Sequence, residues 1–250
     1  MNDVNGLIKQ SDEPMKQRPQ SAEIHPGPGF RICLHLPRPN MDVVEMFSEF
    51  SSADISDQLN RLYGVESSIR RIAGPDRPLI GPACTVKVFP GDNLMVHKAL
   101  DVAKPGDVVV VDAGGSIKNA VLGDIISTKA RHRGIAGFVV DGYVRDASAI
   151  RSLDFPVYAR GENMIGPLHR GPGEINFPIC CGGIVVSPGD IIVADAGGVV
   201  VVPRDHIVEA HARLLAAKER SAAYLANVKV GVFSNAWVDQ LLTREGCAIA

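Results

Sequence analysis

Val43, Val44 and Phe47, then Ile55, Leu59 and Leu62, recur at helical spacing, so residues 42–50 and 54–63 read as two short helices. The pattern changes at Leu79, and Leu79 to Val88 reads as a strand. Helical spacing returns from Asp92 to Ala103, opened by Asp92 or Asn93 as a cap and stopped before Pro105-Gly106. Ala120 to Arg131 is expected to be helical, Ile135 to Val140 and Phe155 to Arg160 to be strands, and Ile179 to Val186 and Val199 to Val202 to add more. A long amphipathic helix follows from about Arg204 to Ala226, with Ile207, Ala210, Leu214, Ala217 and Ala222 on its apolar side. Residues 231–244 complete the pattern as a short helix, where Phe233 and Trp237 are placed to pack on another subunit.

Within this pattern lies a near-repeat. Pro105 to Gly115 reads PGDVVVVDAGG and Pro188 to Gly198 reads PGDIIVADAGG, 83 residues apart. Each copy is a tight Pro-Gly-Asp turn into a four-residue apolar strand ending at Asp112 or Asp195. The offset is too long for a solenoid and points to two similar strands in one core. Gly197-Gly198 suits a hairpin between Ile191–Ala194 and Val199–Val202. Strands alternating with helices give an α/β class with outer helices. The hairpins after residue 170 argue against a TIM barrel and a simple Rossmann sheet. Residues 1–40, rich in Pro and polar residues and without periodicity, read as an arm that is mobile or lies on a neighbour. The ordered part is expected from about Met41, with a main domain over 41–227 and a helix and tail over 228–250.

The 250 residues are 46% hydrophobic and 22% charged, an ordinary globular composition. A formal charge of −2 gives no global attraction to nucleic acid or to an anionic membrane. No apolar run is long enough to span a bilayer, and the N-terminus lacks a signal-like apolar segment, so a cytoplasmic location is expected. Five cysteines without C-x-x-C spacing support neither a zinc site nor a disulfide framework. His97 and His132 fall in expected helices, with no second histidine at ligand spacing.

Three segments carry candidate chemistry. In NAVLGDIISTKA, a glycine inside a helix costs about 1 kcal/mol relative to Ala. That penalty suggests a helix starting at Gly123, with free N–H groups over Gly123, Asp124, Ile125 and Ile126 that suit an anion. The competing reading is a glycine for close helix packing and a first-turn acid. In GFVVDGYVRD, Arg145 and Asp146 follow an apolar strand, with Asp141-Gly142 expected to turn the chain so that both serve one site. Here the competing reading makes Asp146 the N-cap of the turn Ala147–Leu153 and Arg145 a solvated side chain. Capping alone accounts for Asp92-Asn93-Leu94 with His97. A P-loop, a G-x-S-x-G elbow and an H-E-x-x-H helix are all missing from the sequence.

Taken in order, DNLMVHKAL, PGDVVVVDAGGS, GDIISTKARHRGIAGFVVDGYVRD, FPVYARG, INFPICCGG and PGDIIVADAGGVVVVP, with ADISDQL at 53–59, resemble the RraA-like family. That family includes class II 4-hydroxy-4-methyl-2-oxoglutarate and 4-carboxy-4-hydroxy-2-oxoadipate aldolases and a regulator of ribonuclease E. The resemblance implies a swivelling β/β/α fold, a homotrimer or dimer of trimers (a hexamer), and sites between adjacent subunits. It implies a divalent metal, Mg²⁺ or Mn²⁺, with Asp146 as its ligand. It also implies that Arg145 binds substrate, that the Gly123–Ile126 amides cradle a pyruvyl carboxylate, and that Asp124 positions a water that shuttles a proton. The expected activity is retro-aldol cleavage of a 4-hydroxy-2-oxo acid to pyruvate, with oxaloacetate decarboxylation through the same enolate. A lyase acting on another catabolic oxo acid, and a non-catalytic regulator of the ribonuclease E type, are the alternatives. A Schiff-base mechanism is disfavoured because the matched cradle holds no lysine.

Overall fold

The structure, a computed structural model, describes residues 23–35 and 37–248. In chain order it runs β1 (Phe30–Ile32), α1 (Met41–Glu45), α2 (Ser52–Gln58), β2 (Arg70–Ala73), β3 (Leu79–Val88), α3 (Leu94–Val102), β4 (Val108–Ala120), α4 (Asp124–His132) and β5 (Gly137–Val144). It continues with α5 (Ala147–Ser152), β6 (Val157–Glu162), β7 (Gly173–Ile175), β8 (Ile179–Cys181), β9 (Ile184–Val186), β10 (Ile191–Asp195), β11 (Gly198–Val202), α6 (Ile207–Lys229) and α7 (Ala236–Arg244). Strands β3, β4, β5 and β6 are parallel neighbours joined by α3, α4 and α5. Parallel strands need such crossovers, and the helices bury the sheet face beneath them. Val108 to Val111 are therefore at most 1% exposed, which is why that stretch is four consecutive valines.

Strand β3 is shared. Its first half, Leu79–Pro82, pairs antiparallel with β10, and its second half, Val86–Val88, pairs antiparallel with β7. Three hydrophobic clusters follow from this arrangement. One lies between the parallel sheet and α3–α5, around Phe138, Leu122 and Ile150. A second fills the opposite face, between that sheet, β10–β11 and the β8–β9 hairpin, around Tyr158 and Ile192. The third packs Phe47, Ile55 and Leu214 from the helical layer onto the outer side of β10–β11. Sheet, second sheet and helices thus stack as the expected β/β/α arrangement.

The element boundaries depart from expectation where packing extends or interrupts a strand. Strand β5 runs through Asp141-Gly142 without a turn, because Gly142 and Tyr143 stay paired with β4. Ile179–Val186 is a hairpin around Gly182-Gly183 rather than one strand. Ala120 ends β4 instead of opening a helix, and α1 stops at Glu45. Order begins before Met41: β1 adds to the edge of β7, held by Glu174, which accepts from the Gly29 N–H at 2.9 Å and the Arg31 Nε at 2.6 Å. Helix α6 buries only Ile207, Ala210 and Leu214; Ala222 is exposed and α7 buries nothing within the chain. Phe233 and Trp237 stand 59% and 61% exposed. Among the described residues no helix is long and apolar enough to cross a membrane.

Candidate active site

The site forms where β4 and β5 end side by side. Val121 N–H bonds the Tyr143 carbonyl at 2.7 Å, and Arg145 N–H bonds that of Leu122 at 2.9 Å, so the two chain ends are still laced together as they leave the sheet. Gly123 is the N-cap of α4, in extended backbone, and Ser127 N–H is the first to bond a carbonyl within the helix, that of Gly123. The amides of residues 124–126 therefore precede the helical ladder, at the electropositive end of the dipole. One of them is engaged locally: Ile125 N–H donates to Asp124 Oδ1 at 2.7 Å.

Gly123 is glycine because of what lies against it. A Cβ there would fall 2.6 Å from Asp146 Oδ2 and 2.9 Å from Arg145 Cγ. A second glycine flanks the same arginine, since a Cβ on Gly166 would fall 2.5 Å from Arg145 Nη1. Arg145 is thus threaded between two backbone segments that carry no side chain, and its Nε lies 3.1 Å from Asp146 Oδ2.

Asp146 occupies the N-cap position of α5, yet its side chain makes no capping bond and its backbone is left-handed, with φ 58°. That conformation is unfavourable for a non-glycine residue and tends to be kept at functional positions. The capping account of Asp146 is therefore replaced. The turn that brings Arg145 and Asp146 to one site is at Asp146 itself, not at Asp141-Gly142. Asp141 is buried instead and accepts from Arg160 Nε at 2.5 Å and from the Gly182 N–H at 2.7 Å.

A cleft of about 220 Å³ opens over this assembly, lined by Gly123, Asp124, Ile125, Ile126 and Arg145 on one side. Asp146 sits beside Gly123, just outside the lining. The rest of the lining is Leu122, Asn93, His97, Pro167 and His169. Asn93 is 2% exposed, and its side chain does not cap α3. Its Nδ2 donates to the Val121 carbonyl at 2.9 Å, and its Oδ1 meets His169 Nδ1 at 2.6 Å. The helix cap comes from Asp92, whose carboxylate accepts from Leu94 N–H and also from the N–H groups of Arg170 and Gly171. Those bonds fasten the 168–171 loop, and with it His169, to the start of α3. The His97 and His169 rings meet edge to face at 5.4 Å. Burial, then the neighbouring His169 and Lys129, push His97 below its ordinary pKa.

Capping alone thus explains Asp92 but not Asn93 or His97. No local spacing links residues 93 and 97 to 169, so the second wall is invisible until the loop is docked.

The sequence profile described as RraA-like, Aldolase/RraA, matches residues 52–201, well over half of the chain. The chain belongs to the RraA-like family. Among its RraA-like relatives, a protein of Halalkalibacterium halodurans provisionally named 4-hydroxy-4-methyl-2-oxoglutarate aldolase is 44% identical over 164 residues, spanning 66% of this chain and 78% of that protein. One of the same provisional name from Aromatoleum aromaticum is 35% identical over 153 residues, covering 61% of this chain and 96% of its own. In structure, the chain resembles RraAS2 of Streptomyces coelicolor, described as an unusual member of the RNase ES inhibitor RraA family. There the TM-score is 0.68 at 28% identity, covering 76% of this chain and 98% of that one.

Proposed function

We propose that this chain is a divalent-metal-dependent carbon–carbon lyase that cleaves a 4-hydroxy-2-oxo di- or tricarboxylic acid to pyruvate and a second oxo acid, and decarboxylates oxaloacetate as a side reaction. The observation that carries the reading is the contact at Gly123, which brings an amide cradle, a guanidinium and a carboxylate within reach of one small anion. The aldolase names of the relatives support it.

The donor set fits a hard cation held lightly. Among the described residues no cluster of three or more His, Cys, Asp or Glu is suited to a metal. Mg²⁺ asks for less than that, since it usually keeps several waters and takes one or two carboxylates plus substrate oxygens. Asp146, strained and uncapped, is the carboxylate that would hold Mg²⁺ or Mn²⁺. Bound there, the cation supplies Lewis acidity at the 2-oxo group.

The protein's own groups do the rest. The Asp124 and Ile126 amides, the two at this helix start not engaged by a side chain, and the dipole of α4 bind the carboxylate next to the oxo group. Arg145, fixed between Gly123 and Gly166, pairs with substrate oxygens and offsets charge developing there as the C3–C4 bond breaks. Asp124, with one oxygen on Ile125 N–H, keeps its other oxygen for a water. The lyase reading carries with it a trimer or dimer of trimers, to which the exposed Phe233 and Trp237 lend support. Likeness to RraAS2 favours a second reading, a non-catalytic partner of an RNA-processing enzyme.

One assay tests the lyase reading. Purified protein with Mg²⁺ is expected to release pyruvate from oxaloacetate and from 4-hydroxy-4-methyl-2-oxoglutarate, followed by coupled NADH oxidation, and excess EDTA is expected to stop it. Absence of pyruvate from both compounds, with Mg²⁺ or Mn²⁺ present, overturns this reading and leaves a lyase acting on another catabolic oxo acid or the regulator.

A further inference from the structure

The loop that brings Pro167 and His169 to the cleft is held by two separate parts of the chain. The start of α3 holds it by hydrogen bonds. Leu168 N–H donates to the Gly91 carbonyl at 2.8 Å and Asn93 N–H to that of Leu168 at 3.0 Å, while Asp92 accepts the Arg170 and Gly171 N–H groups at 2.6 and 3.1 Å. Strand β1 holds it by packing. Phe30 N–H turns back on the Gly27 carbonyl at 2.8 Å, and Phe30 lies in register with Gly173, where the loop gives way to β7. A Cβ on Gly171 would fall 3.2 Å from Phe30 Cε2 and 3.3 Å from Leu94 Cδ2, so the Phe30 ring and the first residue of α3 close together on the loop's backbone. Gly171 is also left-handed, with φ 66°, so glycine is favoured there by conformation and by space. The rest of the strand is fastened without Phe30: Arg31 bonds Glu174 and lies 3.8 Å over the Phe177 ring, and Cys33 N–H donates to the Ile175 carbonyl at 3.0 Å.

Cover for a sheet edge accounts for a strand beside β7. It does not account for an aromatic ring set against a glycine of the cleft loop. We propose that Phe30 is a positioning residue of the site, bracing the 167–171 loop so that Pro167 and His169 keep their places around a bound ligand. The inference rests on the lyase reading for what the cleft binds, and it adds a segment that reading does not use, since β1 lies outside residues 52–201 that match the family profile. Phe30 does not line the cleft, so it acts only through the loop. Two glycines make the loop responsive to such a brace. Gly171 has the widest backbone freedom of any residue once the ring beside it is gone. Five positions earlier, Gly166 lies so close to Arg145 Nη1 that a Cβ would stand 2.5 Å from it, and movement of the loop therefore also moves one side of the slot that holds the guanidinium. Small displacements of positioning groups far from the reacting atoms are enough to weaken a site.

The test is Phe30→Ala in the full chain. Native-state hydrogen exchange is expected to quicken roughly 10-fold at the Arg170 and Gly171 N–H groups and to stay unchanged at the buried Val109–Val111 of the sheet centre. With Mg²⁺, KM for oxaloacetate is expected to rise roughly 10-fold at nearly constant kcat, the pattern of weakened uniform binding. Phe30→Leu, which keeps part of the contact with Gly171, is expected to show both changes in smaller degree, and it carries the comparison if Phe30→Ala does not fold. A role in stability alone would instead lower the folded fraction, seen as a smaller apparent kcat at constant KM and faster exchange throughout the sheet. That pattern, unchanged exchange at 170 and 171, or an unchanged KM overturns the brace. Wild-type protein that releases pyruvate from neither compound overturns the lyase reading, and the exchange comparison then still decides the brace.

Discussion

The two copies of P-G-D-apolar-D-A-G-G begin and end alike at the level of hydrogen bonds, yet deliver the chain to different places. In each, the opening aspartate accepts the N–H of the residue three before it, Lys104 to Asp107 at 2.9 Å and Ser187 to Asp190 at 2.7 Å. In each, the closing aspartate accepts the N–H two residues on, Gly114 to Asp112 and Gly197 to Asp195. The first copy becomes the middle of the parallel sheet; the second becomes an antiparallel hairpin arm. After Asp112, Gly114 and Gly115 both take left-handed φ, and the polar SIKNA that follows skips register along β5 before reaching the site at Val121–Gly123. After Asp195, only Gly198 is left-handed, and four valines zip back along β10. A short motif thus specifies a turn at each end of a strand, while the residues beyond it decide which neighbour the strand takes. One copy leads to the proposed site; the other lies away from it.

Four substitutions break or sharpen that contrast. The largest effect is expected on the chemical side, from Asp146→Gly, which removes the carboxylate while relieving its left-handed backbone. Pyruvate release should drop by at least about 100-fold, as for loss of a metal-polarised step worth several kcal/mol. Unfolding free energy should hold or rise by up to about 1 kcal/mol. A fall in stability would show that the strain is not at this residue.

The opening aspartates come next. Asp107 is almost fully buried and accepts three bonds from the Arg38 guanidinium besides its turn bond, the shortest at 2.7 Å. Asp190 instead accepts only backbone N–H groups, from Ser187 and Arg204. Asp107→Asn should cost about 2–4 kcal/mol by uncoupling a partly buried ion pair. Asp190→Asn should cost about 1 kcal/mol, the scale of one lost hydrogen bond. Urea unfolding of the two variants measures the difference, and equal costs would make the copies energetically equivalent.

The smallest effect is a difference in pH response within the second copy. Burial pushes Asp190 above its ordinary pKa despite its bonds to Arg204 and Ser187. Its contribution to stability is therefore full below the unfolded pKa and is lost as pH rises through the native value. Asp195 also feels burial, but the Ser52 hydroxyl and N–H and the Gly197 and Gly198 N–H groups outweigh it and hold the pKa low. Its contribution is present above the unfolded pKa and lost as pH falls through the native one. In acid titrations of stability, the wild type should gain on Asp190→Asn as pH falls and lose ground to Asp195→Asn. Parallel curves would contradict both assignments.

Much of the fold was legible because its strands are buried on both faces. Four valines in a row at 108–111 and again at 199–202 mark buried strands, the first parallel to its neighbours and the second antiparallel, whereas the capping box of Ser51 and Asp54 starts α2 two residues before the expected Asp54. Boundaries set by distant partners were not legible. Nothing near Asp141-Gly142 says that pairing with β4 continues past it, and nothing near Phe30 says that Glu174, 145 residues from Gly29, will hold a strand there. The same limit divides the site. The Gly123 and Arg145-Asp146 wall shows as local oddities, a misplaced glycine and a charged pair after an apolar strand. Asn93 and His169 are ordinary residues until a loop crosses 76 positions of sequence to join them.

Strand β3 bears on how the molecule comes apart. Its first half is stitched to the scaffold hairpin through β10 and its second half to β7, with β4 alongside from Ala83 to Lys87. A strand that belongs to both sheets leaves no plane along which one could melt while the other stays intact. The lining of the cleft is thereby tied to a hairpin that touches no part of it, and the two are expected to unfold in one cooperative transition.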